Sequence, residues 1–211
     1  MSGLETFLLR NRLTEAGFEP SVFRYPSTQA DIGEAAAALA DRLREFGAGP
    51  VHLVGHSLGG LVIHEAVDTG RGLPMGRVVL MGSPVRGSRA ARAVAAWSLG
   101  PHLLGRLAAA ELTRGAARAW SSPRELGVIA GSRSAGMGRW FAELPVPNDG
   151  TVAVDETRLA GAKEHIVHDV SHTGMLMSAV VADSLVRFLA TGSFAKADPR
   201  QSSGGKPERS S

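Results

Sequence analysis

Residues 51–60 read VHLVGHSLGG, an apolar run of strand type that ends in Gly55, His56, Ser57, Leu58 and Gly59 and passes directly into the helix-like LVIHEAV. A strand that turns this abruptly into a helix points to a layered α/β architecture and lifts a serine hydroxyl above the sheet edge. The turn holds that serine in a backbone conformation that a residue with a side chain normally avoids. Gly55 and Gly59, two positions before and after, are expected to let strand and helix approach, with Gly60 relaxing the first helical turn. Leu58 is expected to aim its backbone N–H at the oxygen of a tetrahedral intermediate, reinforced by the helix N-terminus. His56 sits beside the serine and is expected to point to the other face.

A GxSxG alone is weak, but here it has the strand before and the helix after that the chemistry requires. A nucleophilic serine needs a base, and the base needs an orienting acid. Of seven histidines, His52 lies in the strand, His64 on the following helix and His102 in an Arg/Ala/Leu-rich insert, all expected to pack or face solvent. His165 and His168 fall on the strand pattern KEHIVHDV, and His172 follows in DVSHTGM, just before an amphipathic helix. A loop at the carboxyl end of the last strand is where a base can reach Ser57, so His172 is the candidate. Metal spacing for His165, His168 and His172 is disfavoured because strand alternation sends neighbours to opposite faces.

The segment RVVLMGSPVRGS contains no carboxylate, which removes one position for the acid. The next is PVPNDGTVAVDETRL, where Asp149 lies in a Pro/Asn/Gly turn. A turn aspartate is ordinarily a local backbone cap. The order Ser, Asp, His, with the aspartate in a loop before the final strand, makes Asp149 the candidate acid, with Asp155 and Asp169 behind it.

On these segments the chain resembles an α/β-hydrolase of the bacterial serine esterase/lipase type. GHSLGG, PNDGTV and VSHTGM match that family's three catalytic segments in identity and order, over roughly residues 2 to 190. The resemblance implies Ser57 as nucleophile, Asp149 as acid, His172 as base and the Leu58 N–H as an oxyanion donor, the same residues the spacing selects. It also implies an upstream strand ending in His-Gly, whose next residue donates a second oxyanion N–H. No such strand precedes Met1, so the natural start is expected at least about ten residues upstream, room for a strand and its turn. The alternative is that SVFRYP pairs directly with VHLVGH in a smaller sheet.

At 211 residues and 44% hydrophobic content, the chain is long enough for one domain with a substantial core. The expected architecture is a mostly parallel sheet with helices on both faces, a hydrolase domain over 1–194 with a small helical cap insert at about 85–124, and a disordered tail over 195–211. Without cysteine, disulfides and thiolate chemistry are excluded. No cofactor and no metal are expected. No 18-residue apolar run and no signal-peptide pattern occur, so the chain as it stands reads as cytoplasmic, though an upstream segment would change that reading. A net charge of +3 with dispersed basic residues and 5% aromatics argues against nucleic acid.

GLETFLLRNRLTEAGF reads as a helix stopped at Gly17, and PSVFRYP as a strand. Asp31 and Glu34 form a capping box for a helix whose Ile32, Leu39, Leu43 and Phe46 line one face until Gly47. In the insert, Val94, Trp97, Leu99, Leu103, Leu104 and Leu107 can roof an acyl pocket or merely pack the insert down, with Gly100-Pro101 breaking its helix. Between residues 86 and 118 six arginines, Arg86, Arg89, Arg92, Arg106, Arg114 and Arg118, stand against Glu111, a net of +5. An anionic substrate or membrane surface would suit that charge, but a solvated helix face is the ordinary arrangement.

The reading that follows is ester hydrolysis through an acyl-enzyme on a small-molecule or lipid ester, with short to medium acyl chains, and activity rising with pH as His172 loses its proton. Amidase, thioesterase and acyltransferase activities use the same machinery. A catalytically silent binding protein of the same fold is the reading from another class. The sequence does not specify oligomeric state.

Overall fold

The computed structural model describes residues 3–25, 31–47, 49–95, 119–135 and 144–196. Four short strands form one sheet: β1 (Leu53–His56), β2 (Val78–Met81), β3 (Leu126–Gly131) and β4 (Glu164–His168). They lie side by side in chain order and every neighbouring pair is parallel. Parallel neighbours need crossover connections, and helices supply them.

The period-2 alternation of β2 divides the core. Val78 and Leu80 belong to a cluster with Leu53, Leu126 and Val128, covered by Leu39 and Leu43 of α2 (Ile32–Arg44) and Leu61 and Val62 of α3 (Leu58–Thr69). Val79 and Met81 belong to the opposite cluster with Ile129, covered by Leu9 and Leu13 of α1 (Gly3–Glu15) and Leu185 and Phe188 of α5 (Ala179–Thr191). Each such side chain contributes about 1.5–3 kcal/mol on burial, which is why strands β2 and β3, buried on both faces, have no polar residue. The expected parallel sheet with helices on both faces is the one observed.

Local signals act where the sequence placed them. The side chains of Asp31 and Glu34 each accept the other's backbone N–H, at 2.8 and 3.1 Å, and start α2. At the end of α1, Gly17 N–H bonds to Thr14 O and Phe18 N–H to Leu13 O, with Gly17 at φ +88°, a Schellman closure. Phe46 departs from the expectation: α2 ends at Arg44, and Phe46 is exposed beneath the Arg42 guanidinium, 5.1 Å from its ring centre.

Residues 21–25 of SVFRYP are not a strand, so they neither form the expected strand nor pair directly with β1; among the described residues the strand partner of β1 is β2. Prolines bound the stretch, and its aromatic residues settle in another way. Phe23 stacks on Tyr25, 5.9 Å between centres, and both pack on the α2/α3 cluster. Side-chain burial thus replaces a hydrogen-bonded ladder there.

The chain enters α4 (Arg89–Ala95) after β2. Most of the expected cap, including Trp97, Leu99, His102, Leu103, Leu104, Leu107, Arg106, Glu111, Arg114 and Arg118, lies outside the described residues, as does the side chain of Val94. The expected tail lies outside them from residue 197. Among the described residues, no helix is long and apolar enough to cross a membrane.

Candidate active site

Ser57 joins β1 to α3 at φ 55°, ψ −124°, the one non-glycine residue with positive φ among the described residues. Such a conformation costs about 1–3 kcal/mol and persists where surrounding packing imposes it. A serine before a helix ordinarily caps the first turn, but Ser57 makes no side-chain cap bond. Its Oγ instead lies 3.0 Å from His172 Nε2. The first-turn N–H groups of α3, beginning with Leu58, are left without a side-chain cap.

The other ring nitrogen, His172 Nδ1, donates to Asp149 Oδ2 at 2.7 Å. Asp149 has no exposed surface. Its Oδ1 accepts from the backbone N–H groups of Thr151 (2.9 Å) and Val152 (2.7 Å). The side chain therefore does both things a turn aspartate can do: one oxygen caps its loop and the other fixes an imidazole. The backbones are joined as well, His172 N–H to Asp149 O at 2.9 Å. Because a carboxylate only accepts, the hydrogen sits on Nδ1, leaving Nε2 to accept from the serine hydroxyl. That arrangement can take a proton from Ser57 and hold the resulting imidazolium against a buried carboxylate.

Asp155 and Asp169 are engaged elsewhere. Asp155 takes two bonds from Arg89, both 2.9 Å, and Asp169 pairs with Arg133 at 2.8 and 3.2 Å. Neither belongs to the His172 site.

β1 and β4 sit at opposite edges of the four strands, so the segment after β4 must cross the ends of β3 and β2, about 14 Å at strand spacing, to bring His172 to Ser57. Those two strands run out into glycine. A Cβ on Gly131 would stand 2.5 Å from Val170 O and 2.8 Å from Asp149 Cβ. One on Gly82, at φ +55°, would stand 3.2 Å from both Asp149 Oδ2 and His172 Nδ1.

The elbow glycines divide differently from the expectation. A Cβ on Gly55 would meet Gly60 Cα at 2.7 Å, and one on Gly60 would meet Ser83 Oγ at 2.0 Å, whereas one on Gly59 meets nothing within 4 Å. The close approach is between Gly55 and Gly60, so Gly59 has no steric duty. Gly55→Ala, pressed against backbone, is expected to destabilise by about 1–3 kcal/mol. Gly59→Ala should be neutral or stabilising by up to about 1 kcal/mol through helix propensity. Urea unfolding of the two variants tests this; the reverse ranking would return the close contact to Gly59.

His56 was expected to point away from the chemistry, and here the structure corrects the sequence reading. Its ring packs on that of His172, 4.6 Å between centres, and Nε2 lies 2.9 Å from the His172 main-chain oxygen. Since that oxygen can only accept, Nε2 carries the hydrogen, and Nδ1 is a buried nitrogen without a hydrogen-bond partner among the described residues. His56 and His172 are 116 residues apart in the chain. Only the crossing of the last loop over the strand ends brings them together, and no local pattern announces it.

Burial, and then the neighbouring His172, push the His56 pKa down to about 4. An unfolded histidine titrates near roughly 6.5, so between the two values the unfolded chain binds more protons and stability falls as pH falls, by about 3 kcal/mol over the window. His56→Gln keeps a donor for the His172 carbonyl without taking up that proton. Its unfolding free energy should lose about 3 kcal/mol less than the wild type between pH 6.5 and 4. Equal acid sensitivity would shift the effect to His52, His165 and His168, whose pKa values burial also lowers.

The other histidines among the described residues are in structural contacts. His52 Nδ1 accepts from Arg77 N–H, His64 Nε2 faces Ala119 O, His165 Nε2 meets Thr157 Oγ1 and His168 Nε2 meets Ser184 Oγ. His165, His168 and His172 thus face three different partners. Among the described residues no group of three or more His, Cys, Asp or Glu side chains could hold a metal ion.

No protein-family model matches the chain, and no curated protein matches it. Solved structures do match, and they define its class: the chain has an α/β-hydrolase fold. The mature lipase BlEst2 of Bacillus licheniformis is similar over 82% of this chain and 78% of its own, with a TM-score of 0.60 and 20% identity. The metagenomic carboxyl esterase MGS0156 matches over 78% of this chain with a TM-score of 0.64 and 16% identity, and the chain spans 57% of that protein's length. The lin2722 gene product of Listeria innocua matches over 92% of this chain and 90% of its own, with a TM-score of 0.54 and 16% identity.

Proposed function

We propose that this protein hydrolyses carboxylic esters through an acyl-enzyme. The observation that carries this reading is the single hydrogen-bonded line from the strained Ser57, through His172 at 3.0 Å, to the fully buried Asp149 at 2.7 Å. In the first half-reaction Ser57 Oγ attacks the ester carbonyl as its proton passes to His172 Nε2. Asp149 holds the imidazolium, which then protonates the departing alcohol. The charge that develops on the carbonyl oxygen falls at the start of α3, where the Leu58 N–H and the helix end can stabilise it. In the second half-reaction His172 activates water against the acyl-serine, the acid leaves and Ser57 recovers its proton.

Similarity in fold to a lipase and a carboxyl esterase supports an ester, small or lipid, as substrate. No nucleic acid, cofactor or metal takes part in the proposed chemistry. The experiment is labelling by a fluorophosphonate together with turnover of p-nitrophenyl acyl esters. Labelling at Ser57 with a burst of p-nitrophenol is expected. Neither label nor turnover would leave the silent binding protein as the better reading.

A further inference from the structure

Beyond the end of β2, Arg86, Arg89 and Arg92 line a cleft of about 200 Å³ with Asp155 and Glu156. The arginines recur at a spacing of three on the turn into α4 and on α4 itself, which places them on one side of the chain. The two carboxylates are already occupied. Asp155 holds the Arg89 guanidinium with two 2.9 Å bonds. Glu156 is buried and accepts the backbone N–H groups of Ala153 and Arg89, at 2.9 and 2.7 Å, with the Arg89 guanidinium 3.5 Å away. Arg86 lies within electrostatic reach of Asp155, but the ion pairs to Asp155 and Glu156 among the described residues are made by Arg89, and the Arg86 and Arg92 side chains line the cleft beside them.

The cleft shares one loop with the serine site, the segment after β3 that carries Asp149, and adds to it the segment after β2, whose Gly82 lies against Asp149 and His172. Ser83, packed where a Gly60 side chain would be, precedes Arg86 by three residues, a span of at most about 11 Å. Asp155 follows Asp149 in the loop after it, and the Arg86 N–H bonds to Glu156 O at 3.1 Å, which fastens the loops together. Arg89 is held in place by its carboxylates, while Arg86 and Arg92 can present planar guanidinium forks to oxygen anions.

We propose that this cleft binds an anionic oxygen group, carboxylate or phosphate, carried by the ester substrate; the proposal rests on the reading of Ser57 as nucleophile. The substrate class is then an ester with an acidic group a few bonds from the carbonyl that Ser57 attacks.

The test compares kcat/KM for mono-p-nitrophenyl adipate with that for the chain-matched neutral p-nitrophenyl hexanoate, and co-sedimentation with phosphatidylglycerol against phosphatidylcholine vesicles. The adipate ester is expected to be preferred roughly tenfold, as for charge-assisted pairing. The preference should disappear in an Arg86→Ala/Arg92→Ala variant and persist in Arg44→Ala, which removes one charge beside the Gly72–Pro74 segment instead. In the wild type it should also shrink as salt is raised, a readout that needs no variant to fold. A preference confined to phosphatidylglycerol vesicles and lost in the same double variant supports the cleft with a lipid headgroup as the source of the anion. No anionic preference in either arm, or one indifferent to Arg86 and Arg92, overturns the proposal. Hexanoate turnover and labelling of Ser57 report the hydrolase separately, so their presence without anionic preference rejects the cleft alone, and their absence rejects the hydrolase reading beneath it.

Discussion

Replacing Ser57 with alanine should reduce ester turnover by about a million-fold, the loss seen when one member of a serine–histidine–aspartate unit that acts as a whole is removed. The fold should survive the change. Ser57 Oγ caps nothing, its single side-chain bond among the described residues is to His172, and alanine would occupy the same strained φ of 55°. Glycine at this position should be equally inactive yet more stable than alanine by about 1–3 kcal/mol, because it adopts positive φ without the penalty. Turnover and thermal unfolding measured on both variants separate the chemical loss from the backbone relief. Ester turnover left within tenfold of wild type in Ser57→Ala would remove the serine from the reaction.

The second large effect is expected from Asp149→Asn, about 10⁴-fold in kcat. Asparagine fills the same space and can keep its oxygen on the Thr151 and Val152 N–H groups. Its amide nitrogen then faces His172 Nδ1, which must accept instead of donate. The ring hydrogen moves to Nε2, and Nε2 can no longer take the proton of Ser57. The loss is one of tautomer, so urea unfolding should change far less than activity. Asp169→Asn, which alters an exposed pair with Arg133, should leave turnover within about twofold, as surface pairs contribute little. A full rate in Asp149→Asn would sink the assignment of the acid.

The residues of this site were readable because each sits at a strand end that a local pattern marks. Apolar runs gave β1 to β4, the Gly-rich turn gave Ser57, and the loops after β3 and β4 limited the choice of acid and base to a few side chains. The misses share a cause. PSVFRYP has the composition of a strand, but its stacked aromatics found a helix surface to pack on, a tertiary contact no period-2 pattern encodes. Gly55 and Gly59 match the spacing of an elbow, yet whether a glycine needs its bareness depends on what lies opposite. Opposite Gly60 lies Ser83, a residue from another strand end. His56 became a partner of His172 only because the last loop crosses two glycine-ended strands. Sequence periodicity reports which face a residue takes, not which distant segment will cover it.

The 115 residues that separate Ser57 from His172 also set an order of events at the ribosome. Synthesis proceeds at roughly 5–20 residues per second, so the serine emerges on the order of ten seconds before the imidazole that would activate it. The strands add in the sequence they are made, β1 to β4, and the loop that closes the site is laid down after all of them. A nascent chain therefore carries an inert hydroxyl for most of its growth. The hydrogen-bonded line cannot form until the sheet beneath it is nearly complete.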